Sequence, residues 1–154
     1  MSEFVVELLS PARVMEVYPL IRQIAPGVTL KAWQRHATFI LRSRGGLRGM
    51  ILVRRKTQRF PCGLCSYRQD QDLRLGKILT AEDAVVMTTW GAREAYDALV
   101  RGVEQIATMN DCHAVRWLLL HAPADIIEVQ RGATVWTPVF RPVVTPSLTA
   151  PARP

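Results

Sequence analysis

Residues 76–120 read GKILTAEDAVVMTTWGAREAYDALVRGVEQIATMNDCHAVRWLLL. The stretch opens on an apolar run, Ile78 and Leu79 and then Ala84-Val85-Val86-Met87, of the kind a buried strand shows. A short polar break follows at Thr88-Thr89-Trp90-Gly91. Beyond it Ala92, Tyr96, Leu99, Val100, Val103, Ile106 and Ala107 recur at helical spacing, with Arg93, Glu94, Asp97, Arg101 and Glu104 on the other side. Asn110-Asp111 ends the helix, and residues 114–120 are apolar again apart from Arg116. Strand, loop, helix and strand in this order predict a βαβ unit whose two strands are parallel neighbours. The loop entering the helix turns backbone N–H groups toward whatever lies beyond the first strand's carboxyl end, a natural place for an anion.

Upstream, residues 4–9 form a short β-like run, and Ser10-Pro11 reads as an N-cap with proline at the first helical position. Val14, Val17, Tyr18, Ile21 and Ile24 then predict a helix over residues 11–25, which Pro19 must kink or divide. Thr29 is a second N-cap signal, and Leu30, Trp33, Ala37, Ile40 and Leu41 give a second amphipathic helix. Residues 47–55 (LRGMILVRR) and 62–68 (CGLCSYR) read as antiparallel partners, with residues 69–74 as the next hairpin turn. Downstream, Pro123 can open a short helix ending at Gly132, and residues 134–144 read as a last strand that Pro138 and Pro142 restrict to an edge or bulge. The order is therefore β-α-α-β-β-β-α-β-α-β, a mixed α/β sheet. One domain over residues 1–144 and a proline-rich, unpacked tail over 145–154 are expected.

Hydrophobic residues make up 49% and charged residues 21%, ordinary values for a globular chain. No apolar run approaches the roughly 18 residues of a membrane span, and no basic leader precedes Glu3, so a cytoplasmic protein with no membrane partner is the expectation. Three cysteines do not make a disulfide framework. The net charge of +7 is uneven, because no Asp or Glu occurs between Val17 and Gln69 while that segment carries eleven Lys and Arg residues. A positive face follows, with an acidic partner, a nucleic acid or a phosphorylated ligand as its functional readings and a solvated surface as its plain one.

The element order, the strand ending in Ala84-Val85-Val86-Met87 with its turn into the next helix, the following strand, and residues 127–133 (IEVQRGA) together resemble the GNAT superfamily of N-acetyltransferases. The resemblance implies an acyl-CoA N-acyltransferase-like fold and acetyl-CoA, or another acyl-CoA, as donor. It implies pantetheine lying against the backbone of Val85, Val86 and Met87, and pyrophosphate on the loop and first helical turn through Thr88, Trp90, Gly91, Ala92, Arg93 and Ala95. The acceptor would be an amine of unspecified class. Relatives often pair through their last strands, so residues 134–144 suggest a homodimer. The loop holds Gly91 alone; Glu94 and Tyr96 stand where the family has glycines, and Glu128 where it commonly has a tyrosine acid.

Acetyl transfer needs a neutral amine, and a carboxylate on the central strand can take its proton. Glu82 and Asp83 are the candidates, and strand alternation would allow only one of them to face the cleft. His121, at the end of the 114–120 run, is a further acid/base candidate, whereas His36 on the second helix reads as structural. Cys62, Cys65 and Cys112-His113 have a ligand-like composition, but 62 and 65 would face opposite sides of a strand, so buried thiols rather than a metal site are expected. Two function classes result: an N-acyltransferase acting by direct attack of the amine, and a non-catalytic module of the same fold that binds through a basic face around Arg54 and Arg55.

Overall fold

Met50, Ile51, Leu52 and Val53 are four consecutive side chains that are all buried. A strand achieves this only when both of its faces are covered. In the computed structural model, which describes residues 2–43 and 47–118, they lie within the sheet with helices on either side. The strands are β1 (Phe4–Leu8), β2 (Arg48–Arg55), β3 (Gly63–Asp72), β4 (Gly76–Val86) and β5 (Val115–Leu118). They lie side by side in the order of the chain. The first three pairings are antiparallel and β4–β5 is parallel, as the βαβ pattern predicts.

The helix joining the parallel pair, α3 (Ala92–Met109), covers one face. Its Ala95, Tyr96, Leu99, Val100, Val103 and Ala107 pack with Phe4, Ile51, Val53, Cys65, Leu79, Ala81 and Trp117. The opposite face carries α1 (Tyr18–Ile24) and α2 (Leu30–Leu41), whose Leu20, Ile21, Trp33, Ala37 and Ile40 pack with Met50, Leu52 and Leu64. Trp33 is anchored further by its indole N–H, which donates to the Val14 carbonyl at 2.7 Å. Thr29 caps α2, its Oγ1 accepting from the Ala32 amide at 3.1 Å.

Two boundaries differ from the sequence reading. The predicted helix over residues 11–25 is divided: a 3-10 turn at Pro11–Arg13 precedes α1, and Pro19 sits in the first turn of α1, where its missing N–H is harmless. The polar Gln69–Asp72 segment was expected to be a turn, but it continues β3 opposite Gly76–Leu79. The turn is Leu73-Arg74-Leu75, tied by Asp72 Oδ1, which accepts from the Arg74 and Leu75 amides at 2.9 and 3.1 Å. Polarity there marks a solvent-facing strand end and not a loop. The predicted helix after Pro123, the strand over 134–144, Glu128, His121 and the 145–154 tail lie outside the described residues.

Candidate active site

The β3–β4 ladder changes register once, between Leu64↔Val85 and Ser66↔Glu82. Two residues of β4, Asp83 and Ala84, therefore stand opposite the single Cys65, which defines a β-bulge. Asp83 begins it with a φ of 57°, in the left-handed region that aspartate and asparagine tolerate better than most side chains. The bulge breaks the simple alternation. Glu82 shares the face of its partner Ser66, and Asp83 lines a cavity together with Ser66 and Met50 on that same side. Of the two carboxylates Asp83 is the one that lines the cavity, and it does so through the bulge and not through simple alternation. Glu82 is committed elsewhere, since Arg68 pairs with it and with Asp70.

The cavity has a volume of about 320 Å³ and lies between α1, α2 and the sheet. Ile21, Ile24, Ala25, Val28, Trp33 and Met50 supply most of its wall. Its polar members are His36, Ser66 and Asp83. His36, read from the sequence as structural, is thereby brought into the company of a candidate base.

Val85, Val86 and Met87 behave differently along the backbone. The Met87 amide donates to the Cys62 carbonyl at 2.6 Å, so it points toward β3. Groups in an antiparallel ladder alternate in direction, so in the pairs Leu64↔Val85 and Gly63↔Val86 it is Val86 whose N–H and C=O turn the other way, toward the side of β5. The described β4–β5 pairing runs from Leu79↔Val115 to Glu82↔Leu118. The Met87 N–H is thus taken up by β3, whereas the Val86 N–H faces the side of β5.

The loop from Met87 to Gly91 is held from beneath by Arg55. This side chain is only 2% exposed, and its guanidinium lies 4.7 Å from the Phe4 ring centre and 4.4 Å from that of Trp90. It donates to Thr88 Oγ1 at 3.3 Å and to the Trp90 carbonyl, and it pairs with Glu3. Thr88 Oγ1 also donates to the Trp90 carbonyl at 2.9 Å. Gly91 caps α3 with a φ of 72°, and a Cβ there would come within 3.0 Å of Arg55 Nη2 and 3.2 Å of Phe4 Cζ. Ala92, Arg93 and Ala95 follow as the first turn of α3, with the Ala95 amide donating to the Gly91 carbonyl at 2.9 Å. Glu94 is exposed in that turn, and Tyr96 is buried in the α3 core.

Arg55 was read only as part of a basic face, although the signal for its burial was present: with Ile51 and Val53 it occupies the same alternate positions of β2, the face that α3 buries. The basic residues around Arg54 and Arg55 have acidic neighbours. Arg54 pairs with Glu7, Arg55 with Glu3 and Arg59, beyond the end of β2, with Glu16. Cys62, Cys65 and Cys112 are all buried, and all three join the α3-side core, because Cys62 precedes β3 and escapes its alternation. Among the described residues no group of three His, Cys, Asp or Glu side chains could hold a metal ion, and no helix is long and apolar enough to cross a membrane.

No family model and no curated protein sequence matches the chain. Solved structures do. Glucosamine-6-phosphate N-acetyltransferase from Arabidopsis thaliana is 17% identical, with 79% of this chain and 84% of that one covered and a TM-score of 0.64. The aminoglycoside N-acetyltransferase AAC(6')-Iy, solved in complex with CoA, is 13% identical over 85% of this chain and 84% of that one, with a TM-score of 0.66. An acetyltransferase from Trypanosoma brucei is 14% identical over 86% and 93%, with a TM-score of 0.64. The chain has the fold of the GNAT acetyltransferases.

Proposed function

We propose that the protein is an acyl-CoA-dependent N-acyltransferase. One observation carries the reading: the bulge at Asp83 and Ala84 brings a carboxylate to a ligand-sized cavity, and three residues later the Val86 backbone turns toward the β5 side. Together these supply a place for an amine, a group to take its proton and a donor for a developing oxyanion. The acyl-CoA supplies an activated acyl carbon as a thioester. Val86 would lie along its pantetheine arm, and the amides of Ala92 and Arg93 at the positive end of α3 would face its pyrophosphate. The amine nitrogen bonds to the acyl carbon as the carbon–sulfur bond breaks. The sulfur leaves with the electron pair, and the nitrogen's proton passes to Asp83.

Calorimetric titration of acetyl-CoA, followed by thiol release in the presence of amines, tests the reading. Saturable binding at one site per chain with amine-dependent thiol release is expected. A second reading, a module of this fold that binds without catalysis, is favoured by Glu94, whose charge in the first turn of α3 opposes a phosphate. Absence of donor binding at millimolar concentration would decide for it.

A further inference from the structure

The cavity under α1 and α2 differs in chemistry from what a sugar acceptor needs. A polyhydroxylated amine must exchange many hydrogen bonds with water for hydrogen bonds with the wall, and each buried hydroxyl left unmatched weakens binding. The described part of the wall is mostly apolar. Ile21, Ile24, Val28 and Met50 are aliphatic, and Trp33, only 1% exposed, contributes ring surface. Among the described residues the wall's polar members are His36, Ser66 and Asp83. At about 320 Å³ the volume is at the small end of the roughly 300–1,000 Å³ typical of small-molecule sites.

We infer that the cavity takes a compact primary amine with an apolar, aromatic or branched aliphatic body, whose ammonium or amine end is placed at Asp83. The inference rests on the acyltransferase reading, and it specifies an acceptor class distinct from the aminosugars in the names of the structural neighbours. The apolar body seats between α1, Trp33 and Met50, and this burial provides the affinity. Asp83 sets the direction, because a single carboxylate at one wall of an apolar space orients a cation toward it. Ser66, beside Glu82 on the ladder, is the remaining polar neighbour at that end.

The probes are 2-phenylethylamine, 2-phenylethanol, which lacks the amine, and glucosamine, which lacks the apolar body. Each is titrated into the full chain by calorimetry without donor, so that the readout is independent of transfer. Saturable binding of 2-phenylethylamine at least tenfold tighter than either comparison is expected. Two variants localise it. Ala32→Trp fills the cavity from an exposed position of α2, and Asp83→Asn removes the charge while keeping a residue suited to a positive φ. Each should weaken 2-phenylethylamine at least tenfold. Binding of glucosamine as tight as that of 2-phenylethylamine, no binding of 2-phenylethylamine, or binding unchanged in Ala32→Trp overturns the inference. Acetyl-CoA titration run in parallel reads the function separately: donor binding with a failed amine titration sinks the acceptor class alone, and amine binding without donor binding sinks the transferase alone.

Discussion

The guanidinium of Arg55 lies 4.4 Å from the ring centre of Trp90, which makes a buried cation on β2 the fastening of the loop between β4 and α3. The indole itself is 62% exposed, so the attraction is made from beneath, and solvent reaches only the outer face of the ring.

Replacing Arg55 with Met keeps an unbranched stem and removes the charge. Glu3 loses its partner but is 56% exposed on its side chain, so no buried charge is orphaned. The loss of two ring contacts and the hydrogen bonds to the loop should destabilise the fold by about 2 kcal/mol in urea unfolding. Amide exchange across residues 87–92 should accelerate more than exchange in β2.

Proline scanning at the end of β4 should separate structure from function. Val85→Pro removes an N–H directed at Leu64 and should cost about 2 kcal/mol or more in stability. Val86→Pro removes an N–H directed away from β3, so stability should change less while acyl transfer falls roughly 100-fold, the effect of losing one oxyanion donor. Urea titration beside a thiol-release assay reads both. Equal loss of stability in the two variants would contradict the assigned ladder directions.

Glu16 accepts from Arg13 Nη1 at 2.7 Å and from Arg59 Nε at 2.8 Å. The Arg13 hydrogen bond, with that of Arg59 and both positive charges, holds its carboxyl below the usual range against the opposing effect of desolvation. A group depressed on folding stabilises fully above its unfolded pKa, and this contribution fades as pH falls through the folded value. Glu16→Gln should therefore unfold more easily than the parent at pH 7. The gap between their melting temperatures should close on acidification below pH ~4, where the unfolded carboxyl protonates.

The thiols should be silent in the native state. Burial raises the pKa of Cys62, Cys65 and Cys112, most of all Cys65, to which the nearby Asp83 charge adds. Since the thiolate is the reactive form, labelling at pH 8 should follow urea unfolding, with three thiols modified per chain. Rapid labelling of one thiol in the folded protein would show that it is less enclosed than described.

Much of the sheet was legible because period and length agree along it. The 92–107 periodicity gave α3, which runs Ala92–Met109, and Thr29 marked the start of α2. The parallel partner of β4 followed from the helix between the two strands. The errors share one cause, which is that local patterns do not report register. Cys62 and Cys65 look out of phase until one of them proves to lie before the strand. Glu82 and Asp83 look opposed until the ladder slips by a residue. Arg55 and its acidic partner Glu3 are brought together by strand pairing across a long stretch of sequence, a relation no window of adjacent residues contains.

Matching β3 and β4 residue by residue shows what the slip means for the architecture. Ser66 faces Glu82 and Leu64 faces Val85, so one residue between Glu82 and Val85 would suffice to oppose Cys65. Ala84, packed in the α3 core, already fills that position. Asp83 is supernumerary to the sheet. A chain with Asp83 deleted can run an unbroken ladder with every apolar residue of β4 on its present side, keeping its framework while its cavity loses the carboxylate. At this point in the strand the proposed chemistry and the ladder register fall on separate residues, Asp83 and Ala84.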